Sequence, residues 1–395
     1  MNVNSLKTLF ISVLIGMCIT GKAQNQFNEV VETILDNNAE LKRLASEIRA
    51  QHLENADANA LADPEVAIGR VWGRHGVGNK LQLDVTQEIQ WPWLYAQQGK
   101  ASDLVTNTAL AEYNAARSDL KLQVTQELMQ LVYVRHQMLL VKRLSDNMSK
   151  LEEAIDNGLN GGELTIIDKK KAEMEMYCIN NTMNALSAQE SQIMASIQGL
   201  SSCRIDLSHI SGYPVQQVYS IDEYKSMAEF SPAINVQHAI AAQETQNEKV
   251  ALLSRFPTFT VGFQHQTEMG DRFNGFTLGM NLPVFQGRHA RKAAIERREA
   301  ASIASEGLSV KQNSEIDALY SDLLTSKKQI EDYERVFGDN KYLEYVLKAY
   351  EGGQITVLDF INEMQYYNNL SQTRLDAEYN YHKALTLLNK YVVVE

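Results

Sequence analysis

Asp168 and Asp359 are the two carboxylates with the most specific setting in the chain. Each closes the phrase G-x-x-T-x-x-D: Gly162, Thr165 and Asp168 in NGGELTIID, then Gly353, Thr356 and Asp359 in EGGQITVLD, with corresponding residues 191 positions apart. The residue types suit a join between two helices. Glycine reaches turn conformations closed to residues with a β-carbon, and threonine caps a helix N-terminus. A carboxylate in the first turn is favoured by the helix dipole, so a purely structural role accounts for both aspartates.

No catalytic or metal-ligating group accompanies them. His75 and His265 fall in or beside loops, and His289 follows the last expected strand. None pairs with cysteine or carboxylate at metal-ligand spacing, and each reads as solvated. Met174, Met176, Met183 and Met194 read as helix packing rather than a soft-metal route. The alternating charges of residues 142–153 read as a solvated helix face. The sequence therefore predicts neither enzyme activity nor a cofactor.

Composition narrows the class. The formal charge of -12 argues against nucleic acid and anionic membrane surfaces as partners. Six prolines leave residues 93–213 and 284–395 free to be helix. Residues 1–23 read as a secretory signal: Lys7, the apolar run from Leu9 to Ile19, then the small-x-small site Gly21, Lys22, Ala23. Met17 stands where a lipoprotein signal with Cys18 wants a small residue, so lipidation is not expected. No later stretch approaches the roughly 20 apolar residues of a spanning helix, so a membrane crossing requires a closed barrel. Cys178 and Cys203 are too far apart along a helix to bridge.

The doubled phrase belongs to a doubled chain. Pro92 and Pro283 are also 191 apart, while Asn38 and Ser231, and Pro64 and Pro257, are 193 apart. Two tandem units follow: residues 24–200 and 231–395, joined by a linker, 201–230, with some structure of its own. In the first unit a helix over 27–60, weak near Asn37 and Asn38, precedes strands at about 64–72 and 80–91. Leu81, Leu83, Val85, Ile89 and Trp91 alternate there with Lys80, Gln82, Asp84, Thr86, Glu88 and Gln90. In the earlier strand Arg70 sits on the apolar side with Val66, Ile68 and Trp72.

A helix of roughly 64 residues then runs from Trp93 to about Asp156, about 95 Å at 1.5 Å per residue. Leu128, Leu131, Val134, Met138, Val141, Leu144, Met148, Leu151 and Ile155 mark its seam at coiled-coil spacing. Asn157 to Gly162 are expected to break it before a returning helix, 164–200. The second unit repeats the order, with strands at about 257–266 and 273–283, a polar loop from Thr267 to Arg272, and a long helix weak at Gly338. A turn at Gly352 and Gly353 leads to the last helix.

Four two-faced strands fit membrane-barrel strands in length and alternation. Four cannot close a barrel. Eight, from a dimer, leave an interior filled by side chains, and twelve, from a trimer, leave a water-filled bore. Trp91, Trp93 and Phe285 flank the prolines where strand becomes helix and suit a membrane-water interface. Periodicity alone leaves open a small soluble sheet with the tryptophans as its core.

The doubled order of hairpin, proline and long helix, LPVFQGR at Leu282 to Arg288 and YEGGQITVLDFI at Tyr350 to Ile361 together resemble the TolC-like family of outer-membrane efflux channels, over essentially the whole mature length. The resemblance implies a mainly α fold with a membrane β-barrel: a homotrimer with four strands per chain in a twelve-stranded barrel among outer-membrane lipid. Long antiparallel helical hairpins extend it as a periplasmic tunnel in a Gram-negative bacterium. The tunnel would dock a periplasmic adaptor (membrane fusion) protein, itself joined to an inner-membrane transporter such as an RND-type pump.

The doubled phrase would then lie at the two hairpin tips, with Gly162, Thr165, Gly353 and Thr356 meeting the adaptor. Asp359 matches a position where three carboxylates ring a constriction, and Tyr350 and Asp168 match a pair whose hydrogen bond helps hold the tip shut. Ile355 stands in place of a gate arginine and Asn362 in place of a second ring aspartate, which predicts a less strongly latched and less acidic gate. The alternative is a soluble periplasmic coiled-coil adaptor or structural spacer, which would carry one hairpin flanked by compact β domains rather than two.

Overall fold

In a computed structural model, residues 27–72, 78–161, 164–283, 289–338 and 341–392 are described. The expected signal segment, Gly162 and Phe285 lie outside them. Helix α1 (27–37) gives way at Asn38 to α2 (Ala39–Ala58). Asn38 Oδ1 accepts from the Leu41 amide at 3.0 Å and so caps α2, while its Nδ2 donates to Leu200 O at 2.8 Å. Strands β1 (Glu65–Trp72) and β2 (Asn79–Ile89) follow, then α3 (Pro92–Gly161), α4 (Ile166–Gly199) and a short α5 (Ile221–Ala228). The second half contains α6 (Pro232–Leu253), β3 (Thr258–Glu268), β4 (Asp271–Asn281), α7 (Ala290–Phe337), α8 (Tyr342–Glu351) and α9 (Val357–Asn389).

The described chain divides into two compact units, and each takes segments from both sequence repeats. One comprises residues up to Lys42 with Ala116–Ser231 and Lys311–Glu395. It is held by the helical seams. Leu128, Leu131, Val134, Val141, Leu144, Met148, Leu151 and Ile155 on α3 are all buried, as are Ile179, Leu186, Ile193 and Ile197 on α4. A second core joins α5, α7 and α9 through Tyr224, Ile316, Leu323, Leu385, Leu388 and Tyr391. Arg135 on α3 ties α4 through Glu190 at 2.7 Å and also donates to Leu207 O. Tyr133 is the hub of a polar cluster: it donates to Asp376 and accepts from Gln372 at 2.8 Å and Gln137 at 3.0 Å.

The other unit, Arg43–Ala115 and Pro232–Val310, contains the sheet. Its helices are pinned by Asn59 to Ser102 at 2.7 Å, by Gln246 to Gln97 at 2.7 Å, and by Glu248 to Arg291 and Arg298 at 3.2 and 3.1 Å. The sheet is antiparallel in the order β1-β2-β3-β4. Its register carries each strand's apolar side onto one face, as in the row Val66, Val85, Phe263, Phe276.

Three expectations need correction. The helix α3 passes through Asn157 and Gly158 to Gly161, because a helical glycine costs only about 1 kcal/mol and the seam is buried as far as Ile155. The loop expected from Thr267 to Arg272 is a two-residue turn, since β3 and β4 pair as far as Glu268 and Asp271. Met269 and Gly270 have φ of 52° and 97°, the two positive values a tight hairpin turn needs. The second long helix ends at Phe337, beside the expected weak point Gly338, and α8 is a separate element.

Candidate functional site: the helical tips and the two-faced sheet

At the second tip the phrase G-x-x-T-x-x-D encodes one helix end and the next helix start. Gly353 follows α8 with φ of 70°, its amide donating to Tyr350 O at 2.9 Å, and the Gln354 amide donates to Ala349 O at 2.8 Å. This pair of bonds around a left-handed glycine is the Schellman stop. Three residues on, Thr356 caps α9. The Asp359 amide donates to Thr356 Oγ1 at 3.2 Å, and Asp359 Oδ2 accepts from the Thr356 amide at 3.0 Å and from its hydroxyl at 2.7 Å. The spacing is thus a left-handed stop, an N-cap and a capping box in sequence.

The first tip repeats the start. Thr165 caps α4, and Asp168 Oδ2 accepts from the Thr165 amide at 3.1 Å and its hydroxyl at 2.6 Å. Lys169 adds an ion pair to Asp156 on the outgoing helix at 2.6 Å. In both boxes the hydrogen bonds from threonine hold the aspartate below its ordinary pKa, so the two carboxylates stay charged. Asp359 is exposed.

Tyr350 lies half-buried at the end of α8, its ring 5.6 Å from that of Phe360. Burial first, then the nearby Asp168 carboxylate, raise its phenol pKa. The structure thus brings Tyr350 into the field of Asp168, while the described hydrogen bonds of the Asp168 carboxylate within this single chain are all to Thr165. Ile166 and Ile167, 60% and 62% exposed, add an apolar surface beside the first tip that helical periodicity did not single out.

The sheet is the second arrangement. On its apolar face Ile68, Phe276 and Leu278 are 73%, 93% and 78% exposed. Gln87 is the polar residue within this face near the helices, and its amide is occupied by Ala62 O at 2.5 Å. At the helix end Trp91 stacks on Trp93 at 4.7 Å and meets Phe259 edge-on at 5.1 Å. Phe259 completes an aromatic cluster that proximity to a proline did not reveal in the sequence. The opposite face carries Gln82, Asp84, Thr86 and Glu88 against Gln266, Gln264, Gly262 and Thr260.

Among the described residues no helix is long and apolar enough to cross a membrane, and no three His, Cys, Asp or Glu side chains gather as a metal site. Cys178 and Cys203 are free thiols. Capped helical hairpins, together with a four-stranded sheet apolar and exposed on one face, have the fold of TolC-like outer-membrane channels. A membrane protein from Pseudomonas aeruginosa shares it with a TM-score of 0.77 and 16% identity, over 93% of this chain and 90% of that one. CusC, described through its transmembrane channel formation, matches at 0.75 and 14%, over 94% and 93%. The outer-membrane channel OprN matches at 0.75 and 15%, over 94% and 91%. No family model and no curated protein matches the sequence.

Proposed function

We propose that the chain is one subunit of a homotrimeric outer-membrane channel, a passive exit duct of a tripartite efflux or secretion system. The observation that carries this is the sheet. Among the described residues its edge strands β1 and β4 pair on one side only, leaving their outer edges open, and one face exposes large apolar side chains to the surroundings. An exposed edge in lipid leaves backbone groups unsatisfied. Joining β4 of one copy to β1 of the next through three copies satisfies them and yields twelve strands with a polar bore. Trp91 and Trp93 then stand at the periplasmic boundary of the membrane.

In this reading the capped tips dock a periplasmic adaptor through Gly162, Thr165, Gly353 and Thr356, and an inner-membrane pump supplies the energy. Asp359 from three copies forms a carboxylate ring, with Asp168 and Tyr350 beside it as gate residues. Support comes from the low pKa of both aspartates and from the field of Asp168 at Tyr350. Fractionation tests the reading. Recovery only by detergent, from outer membranes and as a trimer, is the expected result; recovery in the soluble periplasm contradicts it and returns the adaptor or spacer reading.

A further inference from the structure

Toward the hairpin turns the apolar face carries a mixed row, Arg70, Leu81, Thr267 and Arg272, followed on β1 and β2 by the aromatic Trp72 opposite Asn79. The row next to it toward the helices holds Ile68, Leu83, His265 and Asn274, with His265 Nδ1 and Asn274 Oδ1 2.6 Å apart. On β3 and β4 the face therefore turns polar one row earlier than on β1 and β2, as expected where tilted strands cross a flat boundary. Both arginines are exposed, and Arg70 lies over the Trp72 ring at 5.9 Å. Among the described residues neither has a carboxylate partner. Glu268, the acid of β3 at this end, alternates onto the opposite face, where its register partner is Lys80.

From the row of Ile89 to that of Leu81 and Arg70 is eight residues, about 27 Å along a strand at 3.4 Å per residue. Tilted by about 35–45°, that length rises about 19–22 Å, a little less than the roughly 25 Å height of a barrel's apolar band. Trp91 and Trp93 mark one margin of the band, and the two arginines mark the other. A guanidinium on a lipid-facing surface is tolerated at such a margin and disfavoured within the band. Its planar fork matches a phosphate group in a bidentate manner.

Resting on the outer-membrane reading above, we propose that Arg70 and Arg272 form a binding site for phosphorylated lipid headgroups of the surrounding membrane at the turn-end rim of the barrel. They lie on the two edge strands, so closure by three copies brings Arg272 of one chain and the Arg70 of the next copy onto adjoining strands. The lipid, not free phosphate, is the ligand, because the guanidiniums adjoin an apolar surface that acyl chains cover.

Native mass spectrometry of the full-length protein, extracted in detergent and supplied with diphosphoryl lipid A, tests this against an R70Q/R272Q variant. The wild type is expected to retain the lipid at least tenfold more tightly than the variant, and to retain the dephosphorylated lipid no better than the variant does. Equal retention by the two proteins, equal retention of the dephosphorylated lipid by the wild type, or full displacement by millimolar inorganic phosphate overturns the proposal. If the glutamine pair does not assemble, the phosphorylated and dephosphorylated arms on the wild type decide it. Wild-type protein in the soluble fraction overturns the channel reading as well, whereas a membrane-extracted trimer indifferent to the phosphate groups overturns this inference alone.

Discussion

Thr356 and Asp359 hold each other from both sides: the Thr356 amide donates to Asp359 Oδ2 at 3.0 Å, and the Asp359 amide donates to Thr356 Oγ1 at 3.2 Å. The carboxylate is therefore both a cap and an exposed charge, and one substitution separates the roles. In Asp359→Asn the side-chain carbonyl still accepts from the Thr356 amide while the charge is lost. Single-channel recordings in a planar bilayer are expected to show weaker block by multivalent cations with the helix start intact. Unchanged block and conductance would sink the carboxylate ring.

Gly353 and Gly352 are adjacent but unequal. Gly353 has φ of 70°, which a residue with a β-carbon adopts at a cost of about 1–2 kcal/mol. Gly352 has φ of -80°, and an added methyl would meet Lys348 O at 3.3 Å, a tight contact without backbone strain. Gly353→Ala should accordingly speed amide exchange across the turn between α8 and α9 more than Gly352→Ala does. The reverse order would refute the Schellman assignment.

The faces of β4 make opposite predictions. Phe276→Arg places a charge on the apolar face, which costs about 2–4 kcal/mol near the middle of a bilayer. Thr277→Arg places it on the opposite face, across from Gly262. Outer-membrane trimer yield should fall sharply for the first and little for the second. Equal yields would mean that the apolar face does not meet lipid.

How much of this was legible in the sequence depended on the range of the signal. The seam on α3 was readable because its burial repeats locally: of the nine residues marked from Leu128 to Ile155, all but Met138 are buried. The strand faces were readable for the same reason, and the register then aligned Val85 with Phe263 and Phe276. The hairpin turn escaped because methionine at positive φ is uncommon and Met269 carries no turn signature. The Tyr133 cluster escaped because Asp376 lies 243 residues away, beyond any local pattern. At the tips, the capping box was written in the spacing, whereas the effect of Asp168 on Tyr350 depends on packing between different hairpins.

Acid should weaken the helical unit through His382. Its ring stacks on Tyr213 at 4.4 Å, and burial, then the nearby His136, lower its pKa to about 4 from an ordinary 6.5. The unfolded chain takes up a proton as pH falls below 6.5 while the folded chain does not, so stability declines from there to about pH 4. The depressed aspartates act in the same direction as pH falls through their own folded-state values. Thermal unfolding of wild type and His382→Gln at pH 7, 5.5 and 4.5 should show a shallower decline for the variant. Parallel curves would remove His382 from the account.

The central claim is that β4 of one copy pairs with β1 of the next. In a Cys178→Ser background, cysteines introduced pairwise along the polar side of β1, at Glu65, Ala67 and Gly69, and of β4, at Gly275, Thr277 and Gly279, report that seam when oxidised in intact outer membranes. The account predicts that at least one register yields covalent dimers and trimers, resolved by non-reducing electrophoresis. Chains that remain uncrosslinked in every register, in protein confirmed to be in the membrane, would contradict it.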